Sequence, residues 1–434
     1  MKEEKAKKRS RRFAVETIGC RLNQYETEKI ANRLTRLGFD RVEYNQEADL
    51  YLINTCTVTG RADASSRNII SRAARRKNEA VVVVVGCYVD SEPEKIAQLY
   101  GVDLVVKNSD KDNIVKILNK AFPSLIDAES PPAEQEALPE FHQHNRAWIK
   151  IGDGCNQRCA YCIIPNVRGK LTNRPASEIV DEISLLSDNG YNEVVLTGVH
   201  IGQYRWDKIK SVAELIRHIL DNTDISRLRL SSIEPQEVGP DLIDVMKEAG
   251  YRICRHLHIP LQSGSDRILK IMHRPYSAKE YLYTLQQAKN SIDGIVIGAD
   301  IIAGFPGETE DDFNESVRVA QSGLIDYLHV FSYSDRPGTE SSKMPDKIRS
   351  EVIKERNKIL RDISEINYGR ALKKEVGQTV YAISEYGTDK NGKYYWGITD
   401  NYLKIILPNK LGGGREILKV KATAIEDKHL IGAL

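Results

Sequence analysis

The stretch Gly154-Cys-Asn-Gln-Arg-Cys-Ala-Tyr-Cys162 carries three cysteines, separated first by three residues and then by two. Thiols this close together cannot all find disulfide partners, and a tetrahedral zinc site would need a fourth ligand nearby. Thiolates are the usual ligands of iron–sulfur clusters. Because three thiolates on a 4Fe-4S cluster leave one iron open, the spacing favours an iron–sulfur site that binds a small molecule over a zinc or purely structural site.

This spacing, with Tyr161 just before the last cysteine, resembles the signature of radical S-adenosylmethionine (radical SAM) enzymes. The resemblance implies that Cys155, Cys159 and Cys162 hold a 4Fe-4S cluster whose open iron binds S-adenosylmethionine. It also implies that Tyr161 packs against this cofactor, although a lone aromatic residue is more often part of a core.

The composition is typical of a soluble enzyme. The chain has 434 residues, 41% of them hydrophobic, which is enough for two or three cores. We find no apolar run long enough to span a bilayer and no signal peptide, and seven cysteines in a long chain argue against a disulfide scaffold. We therefore expect a cytoplasmic protein with no membrane association.

Charge and proline content indicate the domain organisation. Residues 1–12 carry seven basic and two acidic side chains, typical of a solvated tail that could also contact RNA. Residues 124–140 carry five acids and no base, together with several prolines, which is typical of a linker. The expected divisions are a tail (1–12), an N-terminal domain (13–123), a linker (124–143), a middle domain (144–370) and a C-terminal domain (371–434).

The N-terminal domain alternates apolar β-rich runs with helical patterns, which predicts a parallel α/β sheet. The predicted strands are 13–18, 50–53 and 81–85, and the predicted helices are 26–37 and 66–76. Cys20, Cys56 and Cys87 each follow one of these strands. Because ligands bind beyond the carboxyl ends of parallel strands, we expect these thiols to converge on a second metal cluster. Three buried, inert cysteines are the alternative.

The runs Thr17-Ile-Gly-Cys-Arg-Leu-Asn-Gln-Tyr-Glu26, Asn54-Thr-Cys56 and Gly86-Cys87 resemble the N-terminal domain of the methylthiotransferases, radical enzymes that install a methylthio group. The resemblance implies that Cys20, Cys56 and Cys87 hold an auxiliary 4Fe-4S cluster. A cobalamin-binding domain is the rival, but the Asp-x-His-x-x-Gly motif usual for it does not occur within residues 13–123.

The middle domain reads as six strand–helix units, which predicts an open, partial (β/α)6 barrel; full eightfold closure takes about 250 residues. The predicted strands are 148–151, 193–196, 227–230, 256–259, 295–302 and 329–333. The partial barrel is also the fold that the resemblance implies. The resemblance further assigns cofactor contacts to Thr197, Gly198, Val199, Ser232, Glu234, Gln262, Asp300, Val330 and Phe331. For Thr197 and Gly198 an ordinary turn is the alternative.

The C-terminal domain changes to short strands separated by glycine turns, which predicts a small antiparallel β-barrel. Aromatic and basic residues alternate there, a composition suited to single-stranded RNA or to half-buried strand faces. The run Trp396-Gly-Ile-Thr-Asp-Asn-Tyr402 resembles the RNA-associated TRAM domain. Trp396 and Tyr402 are therefore candidate RNA contacts.

The resemblance covers nearly the whole chain and implies an enzyme that uses two molecules of S-adenosylmethionine per turnover, acts on a tRNA anticodon stem-loop and takes electrons from a flavodoxin- or ferredoxin-type donor. The run after Cys20 resembles the branch acting on N6-threonylcarbamoyladenosine at tRNA position 37. The carboxylate of that substrate should require a basic contact, for which Arg21, Arg168 and Arg174 are candidates.

Three alternatives remain: methylthiolation of N6-isopentenyladenosine, methylthiolation of a ribosomal protein side chain, and an RNA-binding protein with structural clusters. We expect a monomer.

Overall fold

The computed structural model describes residues 11–76, 79–126, 140–141, 144–388, 394–408 and 414–433, without the side chains of 386–388. Most of the predicted basic tail and linker lies outside the described residues. The chain divides into two compact units, Met1–Glu140 with Asn166–Gly169, and Phe141–Pro165 with Lys170–Leu434. Among the described helices, none has the length and apolar character that a bilayer span requires.

The first unit contains a five-stranded parallel sheet in the order β2-β1-β3-β4-β5. Its strands are β1 (Arg12–Thr17), β2 (Asp40–Val42), β3 (Leu50–Thr55), β4 (Val81–Gly86) and β5 (Leu104–Val106). Its helices are α1 (Arg21–Arg36), α2 (Gly60–Arg76), α3 (Cys87–Ser91), α4 (Pro93–Ala97) and α5 (Ile114–Ala121).

The predicted parallel sheet is confirmed, because β3 and β4 are buried and apolar cores cover both faces of the sheet. Two helices begin earlier than predicted. Helix α1 begins at Arg21 rather than at residue 26, and α2 begins at Gly60 rather than at residue 66. Each first turn carries only one apolar side chain, Leu22 in α1 and Ala62 in α2, so apolar spacing alone does not reveal these starts.

The second unit contains six parallel strands in two three-stranded sheets, β10-β9-β6 and β11-β12-β13. Isolated parallel bridges, Leu228 with Ile253 and Ser232 with His258, join the edges of the two sheets. The predicted partial barrel is confirmed. The strands are β6 (Ala147–Lys150), a short hairpin of β7 (Gly152–Asp153) and β8 (Thr172–Asn173), β9 (Glu193–Thr197), β10 (Arg227–Leu230), β11 (His256–His258), β12 (Val296–Ala303) and β13 (Tyr327–Ser332).

Helices follow these strands, and the first of them lies partly in the first unit, which contains Asn166–Gly169. They are α6 (Ile164–Arg168), α7 (Ala176–Asp188), α8 (Val212–Asn222), α9 (Pro240–Ala249), α10 (Asp266–Ile271), α11 (Ala278–Ser291), α12 (Glu310–Ala320) and α13 (Ser350–Glu375). The predicted boundary between residues 370 and 371 falls inside α13.

The chain ends in a closed five-stranded barrel in the order β14-β15-β16-β18-β17, as expected of a TRAM domain. Its strands are β14 (Thr379–Thr388), β15 (Tyr394–Thr399), β16 (Lys404–Pro408), β17 (Ile417–Glu426) and β18 (His429–Ala433). Val296 and Tyr327 of the β11–β13 sheet belong to the same apolar core as Leu372 of α13 and as Ile405 and Leu407 of β16. The closed barrel is therefore packed on the partial barrel.

Buried charge also joins these two parts of the second unit. The Glu193 carboxylate accepts hydrogen bonds at 2.7 Å from Nε of Arg227 and from Nε of Arg229. The outer nitrogens of the two guanidinium groups donate to backbone carbonyls of the closed barrel, at Tyr381 and Thr399. Burial alone would raise the pKa of Glu193, but the surrounding guanidinium groups hold it below its usual range.

Glu193→Gln should lower the free energy of unfolding by about 3–5 kcal/mol, because it leaves buried guanidinium charge uncompensated. The pKa of Glu193 is depressed, so its contribution is present above the unfolded pKa of about 4.3 and is lost as the pH falls below it. Urea unfolding followed by tryptophan fluorescence measures this, since Trp148, Trp206 and Trp396 all lie in the second unit.

The matched control is Glu248→Gln, whose partner Arg217 is solvent-exposed; it should change the same quantity by less than about 0.5 kcal/mol. Equal effects of the two substitutions at pH 7 would refute the structural role of Glu193.

Candidate active site

The loop after β6 presents the three cysteines of the sequence motif, each partly exposed. The backbone N–H of Gln157 donates to Sγ of Cys155 at 3.3 Å, and Nη1 of Arg274 lies 3.2 Å from Sγ of Cys159. The N–H of Cys162 donates to the carbonyl of Cys159 at 3.0 Å, which tightens the turn between them. N–H donors directed at sulfur are among the groups that proteins use to tune iron–sulfur clusters.

Burial affects the ionisation of two thiols in this loop. It raises the pKa of Cys162 to about 12, against the opposing effect of the Ile164 N–H. It also raises the pKa of Cys159, against the opposing effect of Arg274. Without a metal, Cys159 and Cys162 are therefore protonated near neutral pH, and a bound metal must displace their protons.

His200 lies beside the first cysteine of the loop. Its Nδ1 is 3.5 Å from Sγ of Cys155, and its Nε2 is 2.6 Å from a carboxylate oxygen of Glu237. Burial alone would lower the pKa of His200, but its hydrogen bonds to Cys155 and Glu237 raise it to about 9. A protonated imidazole at this position places a positive charge beside Sγ of Cys155.

Arg274 connects the cysteine loop to one of the predicted cofactor contacts. Its buried guanidinium group bonds both Cys159 and Glu234, and it packs over the ring of Tyr276. Sequence reasoning missed Arg274 and His200, because each is more than 40 residues away in the chain from the cysteine that it contacts. A pairing over such a distance leaves no local pattern.

The predicted cofactor contacts lie on strands β9 to β13 and in the loops that follow them. Thr197 ends β9 and is followed by Gly198 and Val199. The remaining positions are Ser232, bridged to His258; Gln262, bridged to Ile301; Asp300 in β12; and Val330 and Phe331 in β13. Strand register places Val330 opposite Ile301, so Gln262, Ile301 and Val330 lie side by side. These contacts stay predictions.

Two of these positions have structural reasons of their own. A Cβ at Gly198 would lie 2.9 Å from the carbonyl oxygen of Gly152, so the glycine is required by the chain itself. Tyr161 packs against a small apolar cluster that contains Met272 and Phe305. Its predicted contact with the cofactor therefore competes with an ordinary packing role.

Asp300 is shared by two imidazoles. Nε2 of His258 lies 2.8 Å from Oδ1 of Asp300, and Nδ1 of His329 lies 3.3 Å from the same atom. Although burial would raise the pKa of Asp300, these imidazoles hold it below its usual range. The three ligand atoms lie within 4.8 Å of one another, so this set could hold a cation or the polar part of a ligand.

Cys20, Cys56 and Cys87 follow β1, β3 and β4, which are adjacent and parallel. The pKa of Cys56 is raised to about 12, mainly by burial and further by Cys20 and Cys87, so the three thiols lie within electrostatic range. Cys20 is the N-cap residue of α1. The structure thus brings together at one sheet edge the three cysteines that the sequence spaces far apart.

A buried polar network surrounds Cys87. Nε of Arg168 lies 3.2 Å from Sγ of Cys87, and Nδ2 of Asn108 lies 3.7 Å from the same atom. Arg168 also donates to the carboxylate of Glu26, which Lys111 contacts as well. Three sulfur ligands at an open sheet edge, with N–H donors directed at one of them, fit an iron–sulfur cluster.

The other two arginines considered as substrate contacts lie elsewhere. Arg21 is the first residue of α1, directly after Cys20. Arg174 donates to the Glu182 carboxylate at 2.7 Å and to the carbonyl of Lys150 at 2.9 Å. Their roles in substrate binding stay predictions.

Comparison with known proteins supplies the family. Residues 149–320 match the model of the radical SAM superfamily, and residues 12–107 match that of the uncharacterized protein family UPF0004. The threonylcarbamoyladenosine tRNA methylthiotransferase MtaB of Bacillus subtilis (strain 168) is 35% identical over 422 residues, which covers 94% of this chain and 93% of the relative. The MtaB of Aquifex aeolicus (strain VF5) is 35% identical over 419 residues, covering 94% and 98%.

The chain belongs to the MtaB-type methylthiotransferase family of radical SAM enzymes. It is therefore an enzyme, a transferase, and membership of the radical SAM superfamily implies a 4Fe-4S cluster and S-adenosylmethionine. A second group of relatives is also similar: the tRNA-2-methylthio-N(6)-dimethylallyladenosine synthase of Acetivibrio thermocellus is 32% identical over 382 residues, covering 83% of this chain and 79% of the relative.

Solved structures support the fold. The radical S-adenosylmethionine methyltransferase TsrM from Kitasatospora setae aligns with a TM-score of 0.54 at 17% identity, covering 74% of this chain and 73% of that one. The cobalamin-dependent S-adenosylmethionine radical enzyme OxsB aligns with a TM-score of 0.51 at 10% identity, covering 81% and 56%. At sequence identities this low, the alignments support the fold and nothing further.

In this MtaB-type chain, the two aromatic residues predicted to contact RNA have different surroundings. Trp396 is 40% exposed, and its ring lies 4.8 Å from that of His429. Tyr402 is partly buried, stacks at 4.4 Å on His256 and lies under the guanidinium group of Arg229. Packing within the second unit accounts for Tyr402, whereas the indole of Trp396 remains accessible to a base.

Gly19 is a point at which the sheet edge tolerates little change. Its φ is +108°, and a Cβ there would lie 2.7 Å from Cβ and 3.0 Å from Sγ of Cys56. Gly19→Ala should therefore cost stability twice, through backbone strain and through displacement of Cys56. Gly38→Ala is the matched control, because Gly38 has φ +85° and open space around it.

We expect Gly38→Ala to cost about 1–2 kcal/mol from its backbone conformation alone. Gly19→Ala should cost about 1–3 kcal/mol more, the usual range for overpacking. Thermal unfolding of the metal-free proteins, followed by circular dichroism, compares the two. Equal losses of stability in the two variants would show that the position of Cys56 does not require residue 19 to lack a side chain.

Proposed function

We propose that this protein transfers a methylthio group to C2 of N6-L-threonylcarbamoyladenosine at tRNA position 37, giving 2-methylthio-N6-threonylcarbamoyladenosine. The observation that carries the proposal is the pair of cysteine triads. One occupies the loop after β6 of the partial barrel, and the other lies at the carboxyl edge of the N-terminal sheet. A protein with one structural cluster would need neither the second triad nor an open iron.

In this proposal Cys155, Cys159 and Cys162 hold the radical SAM cluster. With its cofactor bound, this cluster supplies a 5′-deoxyadenosyl radical that abstracts hydrogen from an unactivated carbon. The protein positions the ligands. Gln157 and Arg274 donate to the sulfur atoms, and the Arg274–Glu234 pair fixes the loop against the strand ends.

The finer cofactor proposal is an auxiliary 4Fe-4S cluster at Cys20, Cys56 and Cys87. It would carry the sulfur that receives a methyl group from a second molecule of S-adenosylmethionine. The convergence of the three thiols and the polar network at Cys87 support this assignment.

A tRNA anticodon stem-loop is the proposed partner, because position 37 lies in a single-stranded loop that can present its base without melting a helix. Trp396 offers an exposed ring on the closed barrel, and stacking on such a ring tolerates any base. Phe331, at 42% exposure, offers a second aromatic surface near the predicted cofactor contacts.

Three further points belong to the proposal. A flavodoxin- or ferredoxin-type protein supplies electrons, since protein side chains do not themselves reduce such a cluster. The chain acts as a monomer, and it works in the cytoplasm, where its tRNA substrate is found. The similarity to dimethylallyladenosine synthases keeps N6-isopentenyladenosine as the second candidate substrate.

Iron content tests the two-cluster arrangement. Anaerobic reconstitution should give about eight iron atoms per chain, since each 4Fe-4S cluster holds four. Replacing Cys155, Cys159 and Cys162 together by alanine should halve the iron and abolish formation of 5′-deoxyadenosine. Replacing Cys254, which is buried and outside both triads, should leave the iron unchanged. Unchanged iron after joint replacement of Cys20, Cys56 and Cys87 would eliminate the auxiliary cluster.

Substrate choice is tested by supplying the reconstituted enzyme with two tRNAs, one carrying N6-threonylcarbamoyladenosine and one carrying N6-isopentenyladenosine. We expect methylthiolation of the first, because the Bacillus subtilis and Aquifex aeolicus relatives, each 35% identical over 94% of this chain, are threonylcarbamoyladenosine tRNA methylthiotransferases. The carboxylate of that substrate would gain from a basic contact, whereas an isopentenyl group needs an apolar pocket. Nucleoside mass spectrometry reads the product. Reaction with the isopentenyl substrate alone would overturn the substrate while leaving the reaction class intact.

A further inference from the structure

Arg168 lies in the segment of the first unit formed by Asn166–Gly169, only six positions after Cys162 in the sequence. Its side chain is 1% exposed. All three nitrogen atoms of its guanidinium group make contacts. Nε is 3.2 Å from Sγ of Cys87, Nη1 is 3.0 Å from Oε1 of Glu26, and Nη2 is 3.2 Å from Oε2 of Glu26.

This burial argues against the role that the sequence suggested. A residue that contacts a tRNA phosphate or a substrate carboxylate must expose its donors, and the donors of Arg168 face Cys87, Glu26 and Asn23 inside the unit. Arg168 forms its bidentate pair with Glu26 through Nη1 and Nη2, and this pair does not require Nε to point at Cys87. The contact between Nε and Cys87 is the feature that an ordinary structural ion pair does not require.

The charge balance around Cys87 points the same way. Glu26 contributes one negative charge, and two cations contact it, Arg168 and Lys111. Nζ of Lys111 is 2.6 Å from Oε2 of Glu26 and 3.0 Å from Oδ1 of Asn54, and its side chain is 6% exposed. Among these three contacting groups, positive charge exceeds negative charge by one, beside three cysteines and in a region where little water screens it.

We propose that Arg168 is a positioning residue of the auxiliary cluster: its Nε–H group orients Cys87 as a cluster ligand, and its positive charge raises the reduction potential of the cluster. This inference rests on the proposed function, since it requires the auxiliary cluster to exist. The physical reason is that the reduced cluster carries one more negative charge than the oxidised cluster. A nearby net positive charge and an N–H donor to sulfur therefore stabilise the reduced form.

The test isolates the auxiliary cluster. The full-length chain with Cys155, Cys159 and Cys162 replaced by alanine is reconstituted anaerobically. Its midpoint potential is then measured by redox titration with detection by electron paramagnetic resonance. Introducing Arg168→Gln should shift the midpoint to a lower potential, because one positive charge is lost. Glu26→Gln should shift it to a higher potential, because one negative charge is lost. Arg168→Lys keeps the positive charge but loses the planar guanidinium group. Its midpoint potential should therefore lie between those of Arg168→Gln and the parent protein.

Arg41→Gln is the matched control. Arg41 forms a bidentate pair with Glu28 in the same unit, with N–O distances of 2.6 and 3.0 Å. The Arg41→Gln substitution should leave the midpoint potential equal to that of the parent protein. Opposite shifts for Arg168→Gln and Glu26→Gln are the decisive signature, since general loosening of the unit would move both in the same direction.

Each other result has a defined meaning. Midpoints that do not move in Arg168→Gln and Glu26→Gln, at full iron content, would overturn the inference and leave the auxiliary cluster standing. If the parent protein, with Cys155, Cys159 and Cys162 replaced by alanine, binds no iron, that result would instead overturn the auxiliary cluster and the proposed function with it. If Arg168→Gln fails to fold by circular dichroism, the sign of the Glu26→Gln shift and the position of Arg168→Lys decide.

Discussion

Parallel strand pairing is the constraint on which the N-terminal cysteine site and the predicted cofactor contacts depend. In a parallel sheet every strand ends at the same edge, so residues that follow different strands meet even when the chain between them is long. Cys20, Cys56 and Cys87 are brought together in this way after β1, β3 and β4. The predicted cofactor contacts from Thr197 to Phe331 lie on and after strands β9 to β13 by the same rule.

Both units contain buried ion pairs, and these pairs have a different role in each unit. Glu193 with Arg227 and Arg229 joins the partial barrel to the closed barrel, so their geometry is structural. Arg168 with Glu26 uses the same chemistry beside Cys87, a proposed ligand of the auxiliary cluster. In both places the low local dielectric makes each ionic contact strong and makes the loss of one partner costly.

Much of the fold could be predicted from the sequence, because strands, turns and cysteine spacing are local patterns. The valine run of β4 and the three-cysteine loop predict their own structures. The partners of the cysteines could not be predicted, because Arg168 is 81 residues from Cys87 and Arg274 is 115 residues from Cys159. Arg168 is predicted from the sequence as a substrate contact, but its side chain is buried with Nε 3.2 Å from Sγ of Cys87, and the sequence does not encode that burial locally.

The central claim is that this chain completes the modification of threonylcarbamoyladenosine in tRNA. Mass spectrometry of tRNA nucleosides from a strain that lacks this protein tests it most directly. The account predicts that 2-methylthio-N6-threonylcarbamoyladenosine disappears while N6-threonylcarbamoyladenosine accumulates, and that the gene for this chain restores the product. Retention of that nucleoside, with loss of the methylthio group from N6-isopentenyladenosine instead, would contradict the account.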